Sequence, residues 1–169
     1  MRTRSAAAFP LYAVAFQPAP QPGARLPRAV QSGAAEKLLQ DLRRASGVEA
    51  GAWSKSHART CAAAALAPRG GVGIDVEFRA PGRRIVEIAQ VLAGAPVAND
   101  AAGYRLFTFR EAYFKAFGRF PAPPLLRDVA GRRERIFQTG AFDVLHEAIA
   151  PDFMLTLVWT GGGDPRRLR

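Results

Sequence analysis

Asp75 and Glu77 stand two residues apart inside an otherwise apolar run, "GVGIDVEF" over 71–78. If the run is extended, alternate side chains share a face, so both carboxylates point one way while Ile74, Val76 and Phe78 point the other. Two acids on one face repel, and burying either without a partner is costly. Something must neutralise them: arginines, a metal ion or bulk water. A third acid lies in "YRLFTFREAYFKAFG" (104–118), a helix by its periodicity. There Thr108, Glu111 and Lys115 fall at i, i+3 and i+7, a single polar stripe opposite Leu106, Phe109, Tyr113 and Phe117. If the stripe faces the strand, three carboxylates converge. An all-oxygen set with no His or Cys nearby suits a hard cation, Mg²⁺ most of all where a phosphate completes the shell. Taken alone, Glu111 and Lys115 also read as an ordinary surface pair worth about 0.3–0.5 kcal/mol.

Other reactive side chains are few. Ser56 and His57 are adjacent in "SKSHARTCAAAALAP", but no G-x-S-x-G elbow surrounds the serine, which argues against a hydrolase pair. The "GVG" of 71–73 lacks the third glycine of a dinucleotide loop, and no G-K-[ST] follows. The single cysteine, Cys61, excludes an internal disulfide and any Cys-based zinc site, and reads as a small core residue. His146 falls in an apolar strand pattern and is expected to be structural.

These residues must be held by a chain of 169 residues, enough for one domain or two small halves sharing a core. Its 24 Lys+Arg against 14 Asp+Glu give a net charge of +10, so the natural partner is anionic: nucleic acid, a phosphorylated cofactor, an acidic protein or a membrane surface. No stretch approaches the roughly 20 apolar residues needed to cross a bilayer. Arg2 and Arg4 followed by "SAAAFPLYAVAF" have some features of a signal peptide, yet Pro10 interrupts the apolar region and "PLYAVAF" makes a reasonable strand. A cytoplasmic location is expected.

Along the chain, 9–17 reads as a strand, 18–27 as a proline-rich loop and 34–44 as an amphipathic helix carrying Leu38, Leu39 and Leu42. Strand 60–67 is expected to turn at Arg69-Gly70-Gly71 into strand 72–78, forming a hairpin. "RRIVEIAQVL" reads as a helix, followed by the helix of 104–118. "LLRDV", "RERIF", "FDVLHEAI" and "FMLTLVWT" read as antiparallel strands, and "GGGDPRRLR" as a frayed tail. Intermixed strands and helices give an α+β fold with mainly antiparallel sheets and packed helices.

"SKSHARTCAAAALAP", "GVGIDVE" and "FTFREAYFKA" occur in the order, and near the spacing, of the signature segments of the 4'-phosphopantetheinyl transferases, which the chain resembles over about residues 53–118. The match is closest to the single-chain type. That resemblance implies a pseudo-dimer of two similar halves, a shorter one over 1–70 and one over 71–169 carrying the metal motifs, with the active site between them. It implies transfer of the phosphopantetheine arm of coenzyme A to a serine of an acyl- or peptidyl-carrier protein, releasing 3',5'-ADP. Asp75, Glu77 and Glu111 would hold Mg²⁺, or Mn²⁺, against the pyrophosphate. Lys115 would neutralise a phosphate, and Ser56 and His57 would bind coenzyme A at its 3'-phosphate. Glu111, or a water on the metal, would take the proton of the incoming serine. The implied partners are coenzyme A and an acidic carrier protein, without nucleic acid or membrane, and a monomer is expected rather than a dimer.

The chain departs from the family pattern at defined places. Arg110 stands where a lysine is usual, and Gly118-Arg119-Phe120 keeps only the first glycine of a G-x-G-like turn. The first half is short, leaving Arg25 and Arg28 as the candidates for basic contacts to coenzyme A. Two alternatives remain at this level. A catalytically inactive relative could hold coenzyme A or a carrier protein, although retention of all three carboxylates argues against it. A basic nucleic-acid-binding domain would need aromatics interleaved with arginines on an exposed sheet face, whereas the phenylalanines here cluster on a helix stripe.

Overall fold

The computed structural model describes residues 9–19 and 24–168, so Arg2 and Arg4 lie outside the described residues. The elements follow in the order β1 (Leu11–Phe16), α1 (Arg28–Ser46), β2 (Ala52–Ala58), β3 (Cys61–Ala67), β4 (Val72–Phe78), α2 (Ile85–Ala93), α3 (Asp100–Phe117), α4 (Pro123–Gly131), β5 (Ile136–Gln138), β6 (Asp143–Ala148), β7 (Phe153–Trp159) and β8 (Arg166–Leu168). The strands form two sheets, ordered β2-β3-β1-β8 and β4-β7-β6-β5. Every pairing is antiparallel except β1 with β8, so the fold is α+β with mainly antiparallel sheets. Among the described residues no helix is long and apolar enough to cross a membrane.

The alanine run explains the layering. Alanine favours helix, but here β3 is the central strand of its sheet and is buried along its whole length. Its short side chains let layers approach from both sides. Ala63, Ala65 and Ala67 meet Ile74, Leu155 and Trp159 in the core between the sheets, while Ala64 and Leu66 meet Leu39 and Leu42 of α1. The outer face of the second sheet packs Val144 and Val158 against Leu106, Phe109 and Leu126 of α3 and α4. Tertiary burial has overridden local propensity.

Three expectations are corrected. Strands 61–67 and 72–78 do not form a hairpin: β3 pairs with β1 and β2, and β4 pairs with β7 in the other sheet. Residues 68–71 carry the chain from sheet to sheet, and Arg59-Thr60 supplies the tight turn instead, with Arg59 at φ 56. "LLRDV" lies in α4, started by Pro123 and Pro124; its buried Leu126 and Val129 are three apart, a helical spacing. The tail is not frayed through 168. Arg166–Leu168 extends the first sheet beside β1, where Arg167 Nη1 donates to Glu147 Oε1 at 3.3 Å.

A buried polar chain fixes α3 against the second sheet. Thr108 Oγ1 donates to the Tyr104 carbonyl at 2.8 Å and lies 2.6 Å from Thr156 Oγ1, which lies 2.8 Å from His146 Nδ1. With the Thr108 proton committed to the carbonyl, Thr156 donates to Thr108, and Nδ1–H of His146 donates to Thr156. Nε2 then keeps a lone pair, buried without a partner. Burial, reinforced by Arg105, pushes His146 down to about 3. The unfolded chain protonates this ring near its ordinary value of 6.5 and the folded chain only near 3. Between those values the unfolded state binds the extra proton, and stability falls as pH is lowered, by up to ~1.4 kcal/mol per pH unit. Urea unfolding at several pH values should show His146→Gln losing less stability than wild type from pH 6 to pH 4. Parallel pH profiles would remove His146 as the source.

Candidate active site

The acids of β4 face α3 and are neutralised one by one. Lys115, on the sheet-facing stripe of α3, donates to Asp75 Oδ1 at 2.8 Å and to the Ile74 carbonyl at 2.9 Å. Ser56 of β2 donates to the same oxygen at 2.9 Å and accepts from the Val76 amide at 3.2 Å. Ser54 does the same for the Ile74 amide at 3.0 Å. The two serines thus satisfy the outward N–H groups of β4, an otherwise open sheet edge, and join the two sheets at the site. Glu77 is held by Arg83 at 2.9 Å, and Glu111 by its neighbour Arg110.

Burial pushes Asp75 up despite Lys115 and Ser56, with Glu111 adding to the rise. Burial also pushes Glu77 up, with Asp75 the next cause and Glu111 contributing. All three carboxylates therefore feel one another. For raised acids the folded state holds its proton more tightly than the unfolded one, so each costs stability as pH rises from the unfolded value towards the folded one. Asp75 and Glu77 are therefore carried at neutral pH against the interest of stability.

A divalent cation is the group that neighbouring carboxylates could hold. Among the described residues no three His, Cys, Asp or Glu side chains are arranged to share a metal ion. The donor chemistry is nevertheless present: Asp75 Oδ2 is buried without a hydrogen-bond partner, the kind of atom a cation satisfies. Glu77 and Glu111 each hold an arginine through one oxygen, Oε2 of Glu77 and Oε1 of Glu111.

Beside the carboxylates opens a cavity of about 490 Å³, with Glu77 in its wall. The remaining lining is strongly cationic: Arg25, Arg28, Arg59 and Arg83, with His57 and Gln31. It lies where α1 begins, and that helix start has no side-chain cap and no acid in its first turn, so its partial positive charge is free to add to the arginines. His57 Nδ1 lies 3.2 Å from Gln31 Oε1 and its Nε2 3.3 Å from Ser32 Oγ. The amide oxygen can only accept, so Nδ1 carries the proton and Nε2 accepts from the serine. Burial, then Arg28 and Lys115, push the ring below its usual value.

Of the residues singled out by sequence, Asp75, Ser56 and Lys115 are brought into direct contact, and Glu77 and Glu111 stand beside them. His57 lies in the cavity with Arg25 and Arg28, whereas Ser56 and Lys115 are not part of its lining. Sequence reasoning missed Arg59 and Arg83. Arg59 directly follows β2 and Arg83 lies in the loop between β4 and α2, and both line the cavity. A scan of the chain against models of protein families finds no match, and a search of curated proteins finds none.

Proposed function

We propose that the protein transfers the 4'-phosphopantetheine group of coenzyme A to a serine of an acyl- or peptidyl-carrier protein, releasing 3',5'-ADP. The observation that carries this reading is the meeting of an arginine-lined cavity with a row of acids at Glu77. An anion alone needs no carboxylates, and a metal alone needs no arginines. A diphosphate bound with a divalent cation needs both. The topology supports the two-halves reading, 1–70 and 71–169. β1-α1-β2-β3 gives a sheet ordered β2-β3-β1, and β4-α3-β6-β7 gives one ordered β6-β7-β4.

In this reading Arg25, Arg28, Arg59 and Arg83 hold the phosphates, and His57 contacts the 3'-phosphate from the cavity wall. Asp75, Glu77 and Glu111 would hold Mg²⁺ or Mn²⁺, which when bound neutralises the pyrophosphate and acts as a Lewis acid on it. Lys115 counters part of the burial that pushes Asp75 up, and in this reading it also neutralises a phosphate. The serine oxygen attacks the phosphorus that bears pantetheine, and the bond from that phosphorus to the bridging oxygen breaks. The electron pair leaves with 3',5'-ADP, and the serine proton passes to Glu111 and on to solvent.

Titration calorimetry tests the binding half directly. Coenzyme A should bind, and dephospho-coenzyme A should bind about tenfold or more weakly, as expected for losing hydrogen bonds to a charged group. His57→Ala should weaken coenzyme A binding by a similar factor while weakening dephospho-coenzyme A little. Equal losses for both ligands would remove His57 from the 3'-phosphate, and no binding of either would remove the cavity from the reading.

A further inference from the structure

Adjacent residues on a helix diverge by about 100°, so helix geometry does not bring their side chains together. Arg110 and Glu111 nevertheless meet, Nη1 of the arginine donating to Oε1 of the acid. A third side chain makes this turn possible. The Arg110 guanidinium lies 3.6 Å from the ring centroid of Phe120, and that ring stacks on Phe114 at 4.6 Å and 22°. Gly118, at φ 69, ends α3 in the left-handed conformation and allows Phe120 to return over the helix. Phe114 and Phe120 are 41% and 48% exposed, so core packing does not account for them.

We propose that Phe120 is a positioning residue: its ring holds the Arg110 guanidinium across α3, and the guanidinium holds the Glu111 carboxylate beside Asp75 and Glu77. This deepens the transferase reading and rests on it for the role of Glu111. The two departures from the transferase pattern, Arg110 and Phe120, are then one compensating unit. A planar guanidinium gains from a flat π face, and a lysine ammonium has no such fork to orient. Without the ring, a long arginine side chain loses its fixed rotamer, and Glu111 is freed with it.

The test reads Glu111 itself, by the NMR chemical shift of its carboxyl carbon, and the affinity for Mn²⁺ by electron paramagnetic resonance. Phe120→Leu, which keeps apolar bulk without a π face, should shift the Glu111 signal and weaken Mn²⁺ binding about three- to tenfold, the range of a partly desolvated cation–π contact. Phe120→Tyr should leave both as in wild type. The double variant Arg110→Lys/Phe120→Leu should be no weaker than Arg110→Lys alone, because both act through one contact. A Phe120→Leu protein with an unmoved Glu111 signal, or losses that multiply in the double variant, would overturn the positioning role. A wild-type chain that binds no Mn²⁺ would instead overturn the ion-binding part of the transferase reading. The carboxyl signal alone would then decide for or against Phe120.

Discussion

Asp75→Asn should abolish phosphopantetheinyl transfer and leave the fold standing. Asp75 is the acid whose second oxygen is buried and has no hydrogen-bond partner among the described residues, so it offers an oxygen free to ligate an ion. On the proposed function, losing one charged oxygen from the residues that would hold the ion would remove several kcal/mol of transition-state stabilisation, and each ~1.4 kcal/mol is tenfold in rate. A fall of about a hundredfold or more is expected. Stability behaves differently. The asparagine carbonyl can still accept from Lys115 and Ser56, which now reach Oδ1 at 2.8 and 2.9 Å. The lost ion pair is offset by release from the burial that pushes Asp75 up. The urea midpoint should move by no more than about 1 kcal/mol equivalent, within the ordinary range of single substitutions. Turnover near the wild-type rate would take Asp75 out of the ion site.

Gly73→Ala should be the most destabilising single methyl that can be added to the chain's motif. A Cβ at Gly73 would sit 1.9 Å from the Ala112 carbonyl oxygen and 2.8 Å from the Ala116 amide nitrogen. Both are backbone atoms of α3 and cannot rotate away. The helix would have to retreat from β4, drawing Lys115 from Asp75 and opening the core around Phe109. Overpacking costs typically 1–3 kcal/mol and more where nothing can yield, so a loss of about 3 kcal/mol or more is expected. Urea unfolding measures it. A loss under about 1 kcal/mol would mean that β4 and α3 are not so closely apposed, and the placement of Glu111 and Lys115 would go with it.

The acids and the helix that faces them were legible because their spacing is periodic. The alternation around Asp75 and Glu77 and the Thr108–Glu111–Lys115 stripe each follow from one local geometry, and the stripe does face β4 and β7. What local pattern could not supply was partner choice. That β3 and β4 belong to different sheets depends on whether short alanine side chains let two layers meet, which is decided by packing at a distance. The same holds for the neutralising groups. Arginines, an ion and water were all open. The ligand-free answer is Lys115 for Asp75 and Arg83 for Glu77, and Arg83 lies in the loop after β4 where no periodicity operates. Arg110 was legible only as a departure from the transferase pattern. It finds Glu111, by way of a phenylalanine ten residues on that no helical wheel contains. Ser56 shows the opposite limit: its role as a bridge between two strand edges has no sequence signature.

Intact-mass spectrometry of a panel of apo acyl- and peptidyl-carrier proteins, each incubated with this protein, coenzyme A and Mg²⁺, is the most direct measurement of the proposed activity. One carrier or more should gain the mass of a single phosphopantetheine group at its serine, with 3',5'-ADP released in equal amount. EDTA should stop the gain and Mn²⁺ should restore it. Unchanged carrier masses across the panel, in a preparation that calorimetry shows to bind coenzyme A, would contradict the transferase reading and leave a coenzyme A-binding protein in its place.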